Sequence, residues 1–302
     1  MSKRNAIIIG FVNVKGGVGK TTISTNASHI LASVGYKILH VDIDPQGSSC
    51  ELFQPISPSG HILRKDDIIG MDIFKLLSQD IDAHRYIFRT KYENLDVIPN
   101  ARSVRSVFEE GSFSSRLDTL PSEKKFTALY RNLERLREYY DFIIIDGQPS
   151  MDSITKVTVI ASDYVLSPVT PDLYNMQTLV ETKNMIDFCN TTYGRDTEYL
   201  GFFLNNVKNI KEVPNNPYVQ MRDYYLKCAG EYFINIPIRY SESSEKSQLR
   251  RSLWLDYALA KTITFPNPCK DLLKLLASQN FIEDDDIKIL VDKYGLKEEY
   301  FA

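Results

Sequence analysis

A glycine-rich segment near the start of the chain, between an apolar run and a helical pattern, most constrains how this chain can fold. The run 6–12 predicts a buried strand, and the apolar residues of 23–34 recur at helical spacing. A glycine-rich turn between a strand and a helix points several backbone N–H groups at one place, where the helix dipole adds positive potential. The segment therefore predicts a phosphate-binding loop, with the sequence Val14-Lys15-Gly16-Gly17-Val18-Gly19-Lys20-Thr21-Thr22.

Two side chains of this loop have the chemistry that a nucleoside triphosphate and its metal ion require. Lys20 can neutralise the β- and γ-phosphates, and the Thr21 hydroxyl can ligate Mg²⁺. The strict P-loop pattern has glycine where this chain has Val14, and the chain offers a second lysine, Lys15, before the paired glycines. A glycine turn that binds no ligand is the alternative interpretation of the segment.

Three carboxylates accompany two further apolar runs that predict parallel strands. Asp42 lies in the run 36–43, Asp44 directly follows it, and Asp146 ends the run 141–146. The carboxyl ends of parallel strands share one edge of the sheet, where the ligands of open α/β sheets bind, so we expect the three carboxylates to converge there. They would repel one another without a cation, which favours a Mg²⁺ site. The alternative is that one of them is a helix or turn cap, and Asp42 is the best candidate for that role.

The alternation of strand and helix patterns predicts an α/β fold, with a doubly wound, mostly parallel sheet flanked by helices. One domain over 1–265 accommodates this alternation, and 266–302 predicts a short helical C-terminal extension of two helices. Further strands are expected at 94–99, 164–169, 199–204 and 232–236, and helices at 71–79, 123–140, 173–188 and 218–229.

Composition limits the possible partners of the chain. The formal net charge is −3, so DNA binding requires a local basic patch rather than a basic domain. No apolar run reaches 18 residues and no signal-peptide pattern opens the chain, so a cytoplasmic location is expected. The four cysteines form no CxxC pair and are expected to be reduced thiols.

The segment Lys15-Gly16-Gly17-x-Gly19-Lys20-Thr21-Thr22 resembles the deviant Walker A motif of the ParA/MinD family of P-loop ATPases. The resemblance implies a P-loop NTPase fold, with ATP and Mg²⁺ as ligands and a nucleotide-sandwich homodimer in the ATP state. Lys15 then matches the signature lysine that reaches the partner's phosphates. The implied nucleotide contacts are Lys15, Gly16, Gly17, Val18, Gly19, Lys20, Thr21 and Thr22, with Lys15, Lys20 and Asp44 in catalytic roles.

The resemblance extends to two more motifs and to weaker positions near the end of the sheet. Asp42-Ile43-Asp44-Pro45-Gln46-Gly47 looks like the family's second motif, in which Asp44 orients the attacking water and Asp42 supports the Mg²⁺ shell. The run 142–146 resembles its Walker B motif, in which Asp146 contacts Mg²⁺ through water. The implied metal site is thus Thr21, Asp42, Asp44 and Asp146. Asn205 and Pro237 stand where relatives contact adenine.

Members of the family that the motifs resemble fall into three types: iron–sulfur reductases, membrane-bound MinD-type proteins and DNA-segregating ParA-type proteins. Iron–sulfur reductases need paired cysteines, which this chain lacks. MinD-type proteins end in a basic amphipathic helix, whereas 281–302 holds seven acidic residues against three lysines, so no stable membrane association is expected. A ParA-type protein would bind DNA non-specifically through a basic cluster after the last strand. Here that cluster is Arg239, Lys246, Arg250 and Arg251, and Glu242 and Glu245 dilute it.

The expected function is an ATP-dependent dimerising switch that binds DNA non-specifically and drives plasmid or chromosome partition in the cytoplasm, on the nucleoid. Hydrolysis is expected to be slow, Mg²⁺-dependent and stimulated by a ParB-like centromere-binding protein. Two alternatives stay open. One is a MinD-like or cargo-positioning ATPase at a membrane or on a protein complex. The other is a nucleotide-binding switch with negligible hydrolysis, because Gly147-Gln148 replaces the family's usual residues after Asp146.

Overall fold

The computed structural model describes residues 5–68, 73–100, 113–121, 125–150, 152–172, 175–211, 213, 216–250, 252–261 and 267–294. Within them, eight strands form one sheet in the spatial order β3-β4-β2-β5-β1-β6-β7-β8. All neighbouring pairs are parallel except β3 with β4. The strands are β1 (Ile7–Phe11), β2 (Ile38–Asp42), β3 (Phe88–Arg89), β4 (Leu95–Ile98), β5 (Phe142–Asp146), β6 (Tyr164–Val169), β7 (Glu198–Val207) and β8 (Ile238–Arg239).

The helices of the described residues cover both faces of this sheet. They are α1 (Lys20–Ser33), α2 (Ser48–Phe53), α3 (Ile73–Ser78), α4 (Phe113–Asp118), α5 (Ala128–Glu134), α6 (Ser153–Ala161), α7 (Asn175–Tyr193), α8 (Pro217–Ala229), α9 (Glu242–Leu249), α10 (Trp254–Lys261), α11 (Asn267–Ser278) and α12 (Asp284–Tyr294), with short 3-10 turns at Lys65–Ile68 and Ala83–Tyr86. None of them is long and apolar enough to cross a membrane.

Two apolar cores explain why the central strands are apolar on both sides. Helices α3, α5, α6 and α7 bury one face of the sheet, and α1, α10, α11 and α12 bury the other. Every residue of β5 is buried, as expected for a strand covered on both faces. The predicted doubly wound α/β fold is therefore confirmed.

The order of the strands determines where a ligand can bind. Strand β1 lies between β5 and β6, and the chain continues from β1 to β2 on one side and reaches β6 and β7 on the other. The carboxyl end of β1 is therefore a topological switch point, where open α/β sheets form a crevice. The glycine-rich segment occupies that position, between β1 and α1.

Two predicted elements differ from the observed ones. The helix expected over 123–140 is regular only at Ala128–Glu134, because the chain must turn back to start β5: the Arg137 carbonyl accepts from Ala6 N–H, and its guanidinium pairs with Asp163. The strand expected over 232–236 forms only a bridge at Phe233, and β8 starts later. Pro237 has no N–H for the ladder, so regular pairing begins at Ile238.

Candidate functional site

A cavity of about 430 Å³ opens at this switch point. One end is walled by the glycine-rich segment and the start of α1, and Asp44 and Pro149 lie beside it. The rest of the wall comes from the last residues of β7, from β8 and the two residues that follow it, from α9, and from the starts of α10 and α11. The lining residues are Gly17, Gly19, Lys20, Thr21, Thr22, Asp44, Pro149, Asn205, Asn206, Ile238, Arg239, Tyr240, Ser241, Ser244, Glu245, Trp254 and Pro268.

The loop needs glycine at two positions for backbone reasons. Gly17 has a φ of 74° and Gly19, which precedes the first residue of α1, has a φ of 94°. Other L-residues rarely adopt this left-handed region. A Cβ atom on Gly19 would also lie 2.2 Å from the side-chain nitrogen of Asn205, which donates a hydrogen bond of 2.8 Å to the Val18 carbonyl. The Asn205 side chain therefore supports the glycine-rich loop by binding the backbone carbonyl of Val18.

Lys20 lies at the part of the cavity that the glycine-rich segment and the start of α1 form, which we call the phosphate end, and it is only 6% exposed. Its ammonium donates to the Lys15 carbonyl at 3.2 Å, which holds the side chain along the loop. Burial lowers the pKa of Lys20 to about 8, and the nearby Asp146 and Asp44 only partly offset this effect. The negative charge of a bound phosphate would favour the charged form of Lys20, which burial disfavours.

Asp146 and Asp42 are register partners at the carboxyl ends of β5 and β2, and both are fully buried. Burial raises the pKa of Asp146 well above its usual value, and the charge of Asp42 adds to this effect. Neither oxygen of Asp146 has a hydrogen-bond partner by strict geometry among the described residues, although the Thr21 hydroxyl is close enough to lower the pKa of this carboxyl. Asp146 is thus a buried carboxylate whose oxygens can still bind a metal ion.

The Asp42 carboxylate, in contrast, is occupied within the chain. One oxygen accepts from the N–H of Asp44 at 3.1 Å, and the other accepts from the N–H and hydroxyl of Ser49 in the first turn of α2. Burial raises the pKa of Asp42 to about 7 despite these hydrogen bonds. This geometry is that of a carboxylate that caps a turn and a helix start.

The donor set fits Mg²⁺ rather than a metal held by the protein alone. No three histidine, cysteine or acidic side chains of the described residues lie close enough to hold an ion among themselves. Mg²⁺ usually keeps several waters and is bound through one or two carboxylates together with substrate phosphates. The Thr21 hydroxyl and the unpartnered oxygens of Asp146 match this requirement beside the phosphate end.

Asp44, unlike the two buried carboxylates, lines the cavity. One of its oxygens accepts from the backbone N–H of Gln46 at 2.9 Å, which holds the carboxylate in place at the cavity wall. The segment after β5 approaches the same region. Gly147 packs so closely that a Cβ atom would lie 2.6 Å from the Phe11 carbonyl, and Pro149 lines the cavity.

Lys15 does not line the cavity that Lys20 serves. Its ammonium pairs with a carboxylate oxygen of Asp172 at 2.6 Å, and the two side chains are 38% and 33% exposed. Asp172 lies in the segment after β6, and its carbonyl accepts from the Tyr225 hydroxyl at 2.9 Å. The two lysines of the loop therefore have different environments, one buried at the phosphate end and the other on the surface.

The remaining predicted residues are only partly brought together. Asn205 lines the cavity, but Pro237 does not, and Ile238 takes its place on the wall. Arg239 is held by Asp271 of α11 through its guanidinium at 2.6 Å and through its backbone N–H at 2.9 Å. Lys246 pairs with Glu242 at 3.4 Å. Arg250 is exposed near the Tyr257 ring, and Arg251 lies outside the described residues.

Sequence reasoning missed most of the wall opposite the phosphate end. Asn206, Tyr240, Ser244, Trp254 and Pro268 carry no motif, and they come from segments far apart in the chain. Tyr240 donates a hydrogen bond of 2.7 Å to Glu245, so both polar groups already have a partner on this wall. One signal was available: the doubled Asn205-Asn206 at the end of a predicted strand.

Comparison with known proteins agrees with this geometry. A family model described as an AAA domain, AAA_31, matches residues 6–198. The sporulation initiation inhibitor protein Soj of Bacillus subtilis is 35% identical over 179 residues, which are 59% of this chain and 64% of Soj. The chromosome partitioning protein ParA of Myxococcus xanthus is 28% identical over 235 residues, which are 78% of this chain and 77% of ParA.

A solved structure shows that the fold extends beyond the matched segment. The ATP complex of a single-residue variant of McdA from Cyanothece superposes with a TM-score of 0.73 at 18% identity. The superposition covers 92% of this chain and 98% of McdA. At this identity the likeness concerns the fold.

Proposed function

Because the chain belongs to the ParA/MinD-type family of P-loop ATPases, we propose that it is an ATP-driven partition switch. In this proposal ATP and Mg²⁺ close a homodimer, the dimer binds DNA without sequence preference, and hydrolysis releases it. A ParB-like centromere-binding partner stimulates the hydrolysis. The protein would accordingly reside on the nucleoid in the cytoplasm.

The position of Lys15 is the observation that carries the proposal. Its ammonium is outside the cavity of its own chain and 38% exposed, whereas Lys20 already fills the phosphate end from within. A cation on the surface beside a phosphate site can serve the site of a second copy. We therefore propose that Lys15 completes the partner's site in the dimer and stabilises the charge of the transferring phosphoryl group, as an arginine finger does.

The other loop residues have roles within one chain. The backbone of 15–22, together with Lys20, would bind the phosphates, and Thr21 and Asp146 would hold Mg²⁺. Mg²⁺ supplies positive charge to the β- and γ-phosphates when it is bound. Asp44, held by the N–H of Gln46, would orient the attacking water, and Asp42 would support this arrangement by fixing α2 and the Asp44 backbone.

DNA contacts are proposed for the exposed cations after β8. Arg239 is a poor candidate, because Asp271 already engages its guanidinium and the residue lines the nucleotide cavity. Lys246 is 60% exposed, and its pairing with Glu242 at 3.4 Å is weak enough for a phosphate to displace. Arg250 is also exposed. Binding through such residues depends on salt and not on sequence.

A DNA shift assay with ATP, ADP and no nucleotide tests the proposal directly. We expect a shift with ATP and Mg²⁺ only, which weakens as salt is raised. Equal binding in all three states would contradict a nucleotide-driven switch. A parallel co-sedimentation with anionic liposomes tests the alternative: ATP-dependent binding to liposomes instead of DNA would favour a membrane-positioning ATPase.

Two variants test the catalytic roles. Lys15→Ala should lower partner-stimulated turnover by about 10³-fold or more while monomers still bind ATP. Asp44→Ala should accumulate an ATP-bound dimer, because binding is retained and hydrolysis is lost. Unchanged turnover in the first variant, or a monomer with ATP in the second, would show that these roles are misassigned. Phosphate release that stays negligible with DNA and partner present would favour a switch without hydrolysis.

A further inference from the structure

Asn13 is a buried polar residue beside the cavity, and neither the motifs nor the cavity wall include it. It lies between the end of β1 and the glycine-rich segment and is only 1% exposed. Both polar atoms of its side-chain amide are engaged. The oxygen accepts from the Lys15 N–H at 2.8 Å, and the nitrogen donates to the Pro168 carbonyl at 2.8 Å. Asn13 thus joins the glycine-rich segment to β6.

The bond to Pro168 distinguishes this arrangement from a local turn. An asparagine oxygen that accepts from the N–H two residues further on is a common feature of turns. The Asn13 nitrogen adds a contact between positions that lie 155 residues apart. Pro168 precedes Asp172 by four residues, and the Asp172 carboxylate holds the Lys15 ammonium at 2.6 Å. The segment 168–172 therefore holds Lys15 at both ends, at its N–H through Asn13 and at its ammonium through Asp172.

The backbone of Lys15 is fixed on both sides of its Cα atom. Its N–H donates to Asn13, and its carbonyl accepts from the Lys20 ammonium at 3.2 Å. With both groups fixed, the Lys15 side chain leaves the loop in one direction, away from the cavity of its own chain. Its ammonium can exchange Asp172 for a phosphate of a second copy by rotation of side-chain bonds, while the loop stays in place.

We propose that Asn13 is the positioning residue of Lys15, because it fixes the backbone from which Lys15 reaches the site of the second copy. This inference rests on the proposed function, in which Lys15 stabilises the transferring phosphoryl group of the partner's site. A misplacement of a reacting or stabilising group by about 1 Å can cost roughly 10²-fold in rate. The Asn13 amide is outside the cavity, so it acts on the reaction through Lys15.

A double-mutant cycle between positions 13 and 15 tests this role on the full chain. The readouts are kcat and KM for phosphate release from ATP with Mg²⁺ and plasmid DNA. We expect Asn13→Ala to lower kcat by about 10- to 100-fold. The KM for ATP should stay within about threefold, because the bond from Lys20 to the Lys15 carbonyl and the bond from Asn205 to the Val18 carbonyl are untouched. In the Lys15→Ala background, Asn13→Ala should change kcat by less than about twofold, because the side chain that it positions is gone.

Ser167→Ala is the matched control. Ser167 is also fully buried, and its hydroxyl donates to the Val12 carbonyl at 2.7 Å, so it joins β6 to the end of β1 without binding Lys15. This variant should lower the unfolding midpoint and leave kcat unchanged. Asn13→Ser is the milder variant at position 13, since its hydroxyl can still accept from the Lys15 N–H but is too short to reach Pro168 as well. It enters the same cycle if Asn13→Ala folds poorly.

The outcomes separate the positioning role from the proposed function. Equal losses of kcat in both backgrounds, or a rise in KM that matches the fall in kcat, would show that Asn13 only supports the fold of the loop, and the proposed function would stand. A loss in Ser167→Ala as large as that in Asn13→Ala would likewise overturn the positioning role. If Lys15→Ala alone leaves kcat unchanged, the proposed role of Lys15 fails, and the role of Asn13 fails with it.

Discussion

The ion pair between Lys15 and Asp172 competes with the role proposed for Lys15 in the dimer. The ammonium and the carboxylate are 2.6 Å apart, and each side chain is about a third exposed. Exposed pairs of this kind contribute about 0.2–1 kcal/mol. A symmetric dimer breaks two such pairs when both lysines cross to the partner, so the pairs oppose dimerisation by about 0.4–2 kcal/mol. Asp172→Asn should therefore tighten the ATP-state dimer by roughly two- to thirty-fold.

Sedimentation with a non-hydrolysable ATP analogue measures this dimer constant for wild type and Asp172→Asn. The matched control is Asp187→Asn, which removes the carboxylate partner of Lys183 on the exposed face of α7 and should leave the constant unchanged. The difference between Asp172→Asn and wild type should shrink at high salt, where the pair is screened. A dimer that is equally strong or weaker in Asp172→Asn would contradict the reasoning, because it would show that Lys15 does not have to leave Asp172 when the dimer forms.

Three further predictions follow from the site. Gly19→Ala should lower the unfolding midpoint and abolish ATP binding. Adding Asn205→Ala to this variant should restore the stability that the clash between the new Cβ atom and Asn205 removes. About 1–2 kcal/mol of destabilisation from backbone strain should remain, and a double-mutant cycle measures both parts. Because the pKa of Lys20 is lowered to about 8 and the charged form binds phosphate, ATP affinity measured above pH 8 should fall by about tenfold per pH unit, and Lys20→Arg should flatten this dependence. Asp271→Asn should cost about 1–3 kcal/mol in chemical unfolding and weaken ATP binding, because Arg239 loses the carboxylate that holds it at the cavity; unchanged affinity would contradict this coupling.

The central part of the fold could be predicted because its signals are local. The sequence of β5 is apolar at every position but the last, which is the pattern expected of a strand that is buried on both faces. The elements at the periphery were less predictable. Residues 135–139 have a helical pattern but turn instead, because the Arg137 carbonyl and guanidinium bind Ala6 and Asp163, which lie far away in the sequence. No local pattern records such a contact.

The same difference between local signals and distant contacts applies to the site. The phosphate end is one continuous segment, so its residues and their spacing identify it in the sequence. The partners that shape it are distant: Asn205 lies 187 residues from Val18, and Asp172 lies 157 residues from Lys15. The sequence placed Asp42 and Asp146 at the same sheet edge and named Asp42 as the best candidate for a cap, but the residue that Asp42 caps, Ser49, is apparent only in the structure.

The surroundings of the site oppose the charged forms of the side chains that the proposed function uses. Burial lowers the pKa of Lys20 and raises the pKa of both Asp42 and Asp146, so in each case the surroundings oppose the charged form. A phosphate and a divalent cation bring opposite charges to the lysine and to Asp146, and both changes favour the bound state. In the proposed function, affinity at the phosphate end would therefore be common to any nucleoside triphosphate with Mg²⁺. Discrimination between nucleotides must come from the rest of the cavity wall, which is formed by the last residues of β7, by β8 and α9, and by the starts of α10 and α11.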